Sequence, residues 1–410
     1  MSFNWQGFIV KTEFFSSIST YTVSFPNVLL FITVLSGLYI HIPFCKQACY
    51  YCDFHFSTNQ IQKDAMVKAI IQELKLQTSY LDKPHLETIY FGGGTPSLLT
   101  FQQLTDIFDA IYSYYSVSSD AEITLEANPD DLDTKTLTNL RQLPINRLSI
   151  GIQSFYENHL LYMHRAHTAS EGENCVKHAQ DKGFQNLTID LIYGIPHQDH
   201  SVWLNDLSKA TALNISHISA YCLTIEPQTV FGKWVQQKKI NPVDEEFSAL
   251  QFEMMIQYLE NAGFEQYEIS NFAKEGMYAR HNSSYWLQKH YLGIGPSAHS
   301  YNGTSRQFNV ANNAAYIQAI NQQTVPYTIE TLSISEQIND YLLTTLRTRW
   351  GCNVELLQQK WQYDLYKHSG LLLEEYFQKG LLQREGPILK LTKSGKLLAD
   401  EITAELFLIE

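Results

Sequence analysis

The 410-residue chain is poor in basic residues and in cysteine, and it has no internal repeat or low-complexity tract. Its 29 Lys and Arg are outnumbered by 42 Asp and Glu, which gives a formal net charge of −13. Nucleic-acid-binding proteins usually present a basic patch to the phosphate backbone, so we expect no nucleic-acid partner. The apolar run 28–35 is too short to span a membrane comfortably. These absences favour an enzyme-like globular protein with an ample core.

Three of the six cysteines stand close together, in the run Cys45-Lys-Gln-Ala-Cys49-Tyr-Tyr-Cys52. An odd cluster of three does not pair off into disulfides, and thiols that must stay reduced predict a cytoplasmic protein. The spacing favours a 4Fe-4S cluster in which three irons are held and the fourth is open to another ligand. A Cys3His zinc site completed by His41 or His55 is the alternative. The remaining cysteines are isolated, and we expect each to be a buried core thiol: Cys175, Cys222 and Cys352.

Strands and helices alternate through the first half of the chain. Short apolar runs at 38–42, 87–91, 122–127, 147–152, 187–192 and 217–222 are separated by helical patterns such as 60–80, 101–115 and 171–182. Six such units predict parallel strands with crossover helices, fewer than the eight of a complete barrel. In parallel barrels functional residues gather at the carboxyl ends of the strands, and Glu126, Gln153 and Asp190 stand there.

Several polar or glycine-rich positions at these strand ends suggest a binding site. The triple glycine 92–94 lets a ligand lie against bare backbone. Glu126 or Asp190 can accept hydrogen bonds from the hydroxyls of a ribose, and Arg165 can make a paired contact with a carboxylate. The plainer interpretation is that Glu126 caps the Asn-Pro turn after it and that Arg165 forms a surface ion pair.

Taken in order, these motifs resemble those of radical S-adenosylmethionine (SAM) proteins, in the branch of oxygen-independent coproporphyrinogen III oxidase. The resemblance covers residues 38 to about 301 and rests on the cysteine run and on the motifs YIHIPFC, GGGTP, EANPD, GIQSF and DLIYGIP. It implies an α/β fold, an open six-unit (βα) radical SAM barrel. It also implies a 4Fe-4S cluster on the three clustered cysteines and a reductant that supplies electrons to that cluster. The positions that match SAM contacts of the family are Tyr39, Tyr51, Gly93, Gly94, Thr95, Glu126, Gln153, Arg165 and Asp190.

Two features depart from the oxidase. Phe54 stands where the oxidase pattern carries a fourth cysteine, and Phe54 cannot ligate metal. The segment His281-Asn282-Ser-Ser-Tyr285-Trp286 resembles the HNxxYW signature of heme chaperones that are closely related to the oxidase. If the segment is helical, His281 and Tyr285 share one face, as do Asn282 and Trp286.

The second of these features predicts heme as a further ligand. Imidazole is a standard axial ligand of heme iron, and aromatic rings pack against a porphyrin face. We therefore predict heme binding by His281, Asn282, Tyr285 and Trp286. His299, Tyr301 or a cysteine are alternatives to His281 as the iron ligand.

The two features together favour a heme chaperone, built on a 4Fe-4S radical SAM scaffold, that passes heme to an acceptor protein. The alternative is a coproporphyrinogen oxidase that decarboxylates propionates through a SAM-derived radical, and a third is a cluster protein for another substrate. The resemblance also implies a homodimer when the cluster is loaded.

We predict three regions along the chain: an atypical extension 1–37, the barrel with the heme-motif segment 38–325, and a mostly helical, winged-helix-like domain 326–410. The extension is either a stretch upstream of the true start or an apolar tail; export would expose the reduced thiols. Helical patterns at 335–349, 371–378 and 395–405, with a hairpin at 382–391, define the last region. In so acidic a chain we interpret it as a packing or partner module and not a DNA reader.

Overall fold

The computed structural model describes residues 35–81 and 85–409, so the predictions for residues 1–34 lie outside the described residues. Its centre is a set of six parallel strands that pair in chain order. They are β1 (Leu35–Ile42), β2 (His85–Gly93), β3 (Ser116–Ala127), β4 (Arg147–Gln153), β5 (Asn186–Tyr193) and β6 (His217–Cys222). β1 and β6 each pair with a further strand and not with each other, so the barrel is open. The predicted six-unit architecture is confirmed.

Helices connect these strands and cover the sheet. They are α1 (Lys63–Leu76), α2 (Phe101–Tyr114), α3 (Thr134–Leu140), α4 (Glu157–Tyr162), α5 (Ala169–Asp181) and α6 (Ser201–Ala212), followed after β6 by α7 (Val230–Gln236) and α8 (Glu245–Asn261). α1 buries Met66, Ile70 and Leu74, which recur every fourth residue and form one apolar stripe toward the sheet. Thr100 and Thr168 begin α2 and α5 with capping boxes, which fix where these crossovers start.

The sheet continues beyond both ends of the parallel set. Its further strands are β7 (Glu265–Gln266), β8 (Asn271–Ala273), β9 (His290–Ile294), β10 (His299–Tyr301), β11 (Ser305–Asn309) and β12 (Tyr327–Thr331), with α9 (Arg280–Trp286) and α10 (Asn313–Asn321) between them. β8 runs antiparallel to β6, whereas β9 runs parallel to β1 on the side away from β2. The sequence analysis missed β9, which places the chain after α9 beside the strand that leads into the cysteine loop.

The last part of the chain has a hydrophobic cluster of its own. Its elements are α11 (Ile334–Leu346), β13 (Cys352–Asn353), α12 (Val354–Trp361), α13 (Leu365–Gln378), β14 (Leu382–Glu385), β15 (Ile388–Leu391), α14 (Lys393–Leu397) and α15 (Ala399–Glu405). The expected hairpin is present, and β13 adds a third strand to it. The prediction of one continuous helix at 395–405 was wrong, because the chain leaves helical geometry at Leu398 and two helices form. α12 was missed, and the division at residue 325/326 stays a prediction.

Across residues 35–81 and 85–409, we find no helix that combines the length and the apolar character needed to cross a membrane.

Candidate functional site

A cavity of about 1510 Å³ lies inside the open barrel and reaches the carboxyl ends of the parallel strands. Nearly all of the side chains singled out from the sequence line it, although they come from elements far apart in the chain. They are Tyr39, Cys45, Cys49, Tyr51, Cys52, Gly93, Gly94, Thr95, Glu126, Gln153, Arg165, Asp190, His281, Asn282 and Tyr285. Trp286, the remaining residue of the predicted cluster, SAM and heme sets, does not line the cavity.

The cysteine loop follows β1, and its three cysteines are free thiols. Thr95 Oγ1 donates a hydrogen bond to Cys45 Sγ at 3.4 Å, and Arg165 Nη1 donates one to Cys49 Sγ at 3.3 Å. Burial raises the pKa of Cys45 to about 11 and that of Cys52 to about 12, so neither ionises at neutral pH without a strong positive partner. A metal centre deprotonates the thiols that coordinate it, and this set of donors fits one.

The zinc alternative is not supported by the histidines near the loop. His41 Nδ1 accepts a hydrogen bond from the Tyr39 hydroxyl at 3.1 Å, and its Nε2 donates to the carbonyl oxygen of His55 at 2.9 Å. The ring of His55 is itself bonded to Asn313. A single zinc ion needs all its ligands about 2.0 to 2.3 Å from one point. Among the described residues, no three His, Cys, Asp or Glu side chains are so grouped.

The glycine turn after β2 packs directly on the chain that enters the cysteine loop. The Gly94 N–H donates to the Ile42 carbonyl at 2.9 Å, and the Thr95 N–H donates to the Phe44 carbonyl at 2.7 Å. A Cβ on Gly94 would lie 2.7 Å from both of these carbonyl oxygens. Gly93 has a φ of +100° and faces the His41 ring so closely that a side chain is excluded. Close contact between two loops therefore requires glycine here, in addition to any ligand.

Asn128 connects the glycine turn to Arg165, and the sequence analysis missed it. Arg165 Nη2 donates to Asn128 Oδ1 at 2.7 Å, while Asn128 Nδ2 donates to Thr95 Oγ1 at 3.1 Å. One chain of hydrogen bonds thus runs from Cys45 through Thr95, Asn128 and Arg165 to Cys49. Its position inside the EANPD motif was the signal that could have identified Asn128.

Arg165 is not the surface residue of the plainer interpretation. Its Nη2 also donates to the Gly151 carbonyl at 2.8 Å, and its Nε is buried without a partner. None of the ion pairs between described residues includes it. A guanidinium that faces the cavity without a carboxylate leaves a positive charge for an anionic group of a ligand.

Two carboxylates, on the strands β3 and β5 that flank β4, face the same cavity. Glu126 Oε1 accepts from the Tyr90 hydroxyl at 2.6 Å, so Glu126 does not cap the Asn-Pro turn. Burial, with the nearby Asp190 carboxylate, raises the pKa of Glu126 to about 7. Burial likewise raises the pKa of Asp190 to about 6, even though Ser149 donates to it at 3.3 Å. Gln153, at the end of β4, has a φ of +67°, a strained value of the kind that clusters at binding sites.

The HNSSYW segment forms α9, as predicted, and His281 lies on the same face as Tyr285. The Nδ1 of His281 is bonded to Thr88 Oγ1 at 2.7 Å and its Nε2 to the Tyr285 hydroxyl at 2.8 Å. The imidazole also stacks on the Tyr90 ring, with 5.0 Å between ring centroids. Burial lowers the pKa of His281 to about 3, so the ring is neutral. Both ring nitrogens are engaged, and coordination of an iron would require one of these bonds to break.

The fourth predicted heme-binding residue and the alternative iron ligands lie in different surroundings. Trp286 packs beneath the guanidinium of Arg347, 5.8 Å from its ring centroid. His299 and Tyr301 do not line the cavity. The expectation of a buried core thiol was wrong for Cys222, which is half-buried at the end of β6 and lines the cavity.

The C-terminal region supplies one wall of the cavity, which no sequence pattern indicated. The side chains that it contributes are Arg347, Leu381, Ser394, Lys396, Leu397, Leu398, Ala399, Asp400 and Glu401. The wall is held against the barrel by contacts such as the Lys393–Glu260 ion pair and the bond from the Arg349 N–H to the Tyr267 carbonyl at 2.9 Å. The site therefore belongs to both regions of the chain.

The cysteine loop, glycine turn and open parallel barrel define a radical SAM protein. Residues 39–208 match the model of the Radical SAM superfamily, and residues 332–398 match that of the HemN C-terminal domain. The solved structure of coproporphyrinogen III oxidase (HemN) from Escherichia coli shares the fold, with a TM-score of 0.79 over 92% of this chain and 90% of that chain at 23% identity.

Curated relatives narrow the class further. Heme chaperone HemW of Bacillus subtilis is 35% identical over 371 residues, which cover 90% of this chain and 98% of the relative. HemW of Mycobacterium tuberculosis is 31% identical over 90% of this chain and 94% of the relative. HemW of Escherichia coli is 38% identical over 64% of this chain and 69% of the relative. The chain belongs to the HemW family of heme chaperones, as the HNSSYW segment and Phe54 predicted.

Proposed function

We propose that this protein binds heme, together with a 4Fe-4S cluster and SAM, and delivers the heme to an acceptor protein in the cytoplasm. The observation that carries the proposal is that the cysteine loop and α9 line the same cavity. Pockets for one small ligand usually measure about 300 to 1,000 Å³. At about 1510 Å³ this cavity has room for SAM and a macrocycle side by side.

The half of the cavity beside the cysteine loop fits SAM. Cys45, Cys49 and Cys52 would hold three irons of the cluster, which when bound supplies an open iron and an electron for SAM. Arg165 is free to bind the carboxylate of SAM, because it has no carboxylate partner among the described residues. Glu126 can accept hydrogen bonds from ribose hydroxyls in its ionised form.

The half beside α9 and the C-terminal wall fits heme. Asn282 and Tyr285 line it, and the wall adds apolar side chains such as Leu381 and Leu397. Aromatic and aliphatic groups pack on porphyrin faces. His281 would bind iron after release from Tyr285, whereas Trp286 would act indirectly, by holding Arg347 in place. A homodimer and a reductant for the cluster complete the proposal.

The test combines heme titration with an assay for the alternative function. The protein is purified anaerobically, its cluster is reconstituted, and hemin is titrated with absorbance readout; coproporphyrinogen decarboxylation is assayed in parallel. We expect a saturable heme spectrum, no decarboxylated product, and transfer of heme to an apo-acceptor. Asn282→Ala should weaken heme binding, and the exposed Asn158→Ala should leave it unchanged. Product formation without heme binding would make the protein an oxidase and overturn the proposal.

A further inference from the structure

One cation in the cavity wall lacks the partner that buried charges normally have. Lys396, in α14, is half-buried and lines the cavity. Its Nζ donates to the uncharged Oε1 of Gln266 at 2.9 Å, and no ion pair between described residues includes it. Burial lowers the pKa of Lys396 to about 8, because the ammonium has lost water. Buried charges are usually paired, so this site is electrostatically incomplete.

The carboxylates whose charge acts on Lys396 are already engaged elsewhere. Glu260 pairs with Lys393, and Glu265 pairs with Arg349 at 2.7 Å. Glu268 accepts a hydrogen bond from Asn271. These carboxylates hold charge at a distance but do not close on the Lys396 ammonium. An anion that enters the cavity would meet an unpaired donor there.

The cations that line the cavity fall into two pairs. Arg147 has Glu122 at 3.9 Å and Arg347 has Asp400 as partners, and neither needs an added anion. Arg165 and Lys396 have no carboxylate partner in the described part of the chain. Arg165 lies against Cys49, over the end of β4, whereas Lys396 contacts β7 at the edge of the sheet beyond β6. The two unpaired charges thus belong to different parts of the cavity.

We propose that Lys396 is an anion-binding residue of the C-terminal region that takes a carboxylate of the cavity's macrocyclic ligand. This proposal rests on the proposed function, in which that ligand is heme and the carboxylate is a propionate. The neighbouring wall includes Leu381, Leu397 and Leu398, and these apolar side chains suit the edge of a macrocycle better than the amino-acid part of SAM. Arg165 is the corresponding partner for the carboxylate of SAM.

The experiment uses hemin and its dimethyl ester, in which both propionates are uncharged. Each is titrated into the reconstituted wild-type protein, into Lys396→Gln and into the matched control Lys379→Gln, whose exposed lysine lies in the C-terminal region but outside the cavity lining. A bond to a charged group accounts for about tenfold to a hundredfold in affinity. We expect Lys396→Gln to lose that factor for hemin, to bind the diester as the wild type does, and to keep its affinity for SAM. The control should match the wild type for both ligands.

Three results would overturn the proposal. Equal losses for hemin and for the diester would mean that Lys396 acts through packing. If Lys396→Gln lowered the affinity for SAM alone, Lys396 would bind the carboxylate of SAM and not that of hemin. Equal binding of hemin and diester by the wild type, which needs no variant to fold, would exclude any propionate contact. If the wild type binds no hemin at all, the proposed function fails and takes this inference with it.

Discussion

Replacing Gly94 with alanine tests whether the glycine turn fixes the cysteine loop. The added Cβ would lie 2.7 Å from the carbonyl oxygens of Ile42 and Phe44 and 2.8 Å from the backbone nitrogen of Phe44. All three are backbone atoms, so no side-chain rotation can relieve the contact. The chain that enters the loop must move away from the turn, one residue before Cys45.

The size of the effect follows from these contacts. Overpacking a tightly packed position costs about 1 to 3 kcal/mol. The two backbone hydrogen bonds that join the turn to the loop contribute about 0.5 to 1.5 kcal/mol each, and both are strained or lost. We expect the free energy of unfolding to fall by about 2 to 6 kcal/mol, a large share of the about 5 to 15 kcal/mol of a typical domain.

Urea unfolding of the apoprotein measures this loss, and iron bound per chain after reconstitution measures the state of the loop. Gly370→Ala is the matched control, because nothing lies within 4 Å of its added Cβ and its φ is ordinary. The control should be neutral or slightly more stable, since alanine favours helices. If Gly94→Ala unfolds at the same urea concentration as the wild type and loads the same iron, the contact between turn and loop does not hold the site.

Three further predictions concern other parts of the site. Asn128→Ala removes the bridge between Thr95 and Arg165, and we expect bound iron to be lost faster to a chelator than in Asn158→Ala; equal rates would contradict this. Between pH 6.5 and 3, His281 is protonated in the unfolded chain but stays neutral in the folded protein, where its pKa is about 3. As the pH is lowered through this range, the free energy of unfolding should therefore decrease by up to about 1.4 kcal/mol per pH unit. Urea unfolding across this range should be flatter for His281→Asn, and an unchanged slope would contradict the assignment. Because burial raises the pKa of Glu126 to about 7, the affinity for SAM, measured by calorimetry, should rise from pH 6 to 8 as Glu126 ionises. Glu126→Gln should abolish that rise. If the variant keeps the pH dependence, a group other than Glu126 causes it.

The barrel strands and the cysteine loop could be predicted because their signals are local. A strand in a parallel sheet reads as one apolar run, and the clustered thiols and adjacent glycines need only a few consecutive residues. Glu126 and Asp190 followed from the rule that parallel strands gather their carboxyl ends at one edge. Each of these predictions used a pattern within about ten residues.

The residues that were missed depend on contacts between distant parts of the chain. Asn128 contributes to the site through its hydrogen bonds to Thr95 and Arg165, and an Asn-Pro turn in the sequence does not indicate those partners. Lys396 is one lysine among many until the fold places it against the cavity without a carboxylate. His281 was assigned to iron from its motif, but the structure engages both of its nitrogens within the protein. Tertiary packing decides such roles, and they cannot be recognised from local patterns in a single sequence.

The C-terminal wall of the cavity has a consequence for the order in which the site is made. The cysteine loop, the glycine turn and Arg165 all emerge within the first 165 residues, whereas Lys396 and its neighbours follow roughly 230 residues later. At about 5 to 20 residues per second, synthesis of that stretch takes on the order of 10 to 50 seconds. During this interval the nascent chain already contains the whole cysteine loop, but the C-terminal wall of the cavity has not yet been synthesised. Iron and sulfide delivered during synthesis would therefore reach the cysteines before the C-terminal wall is in place.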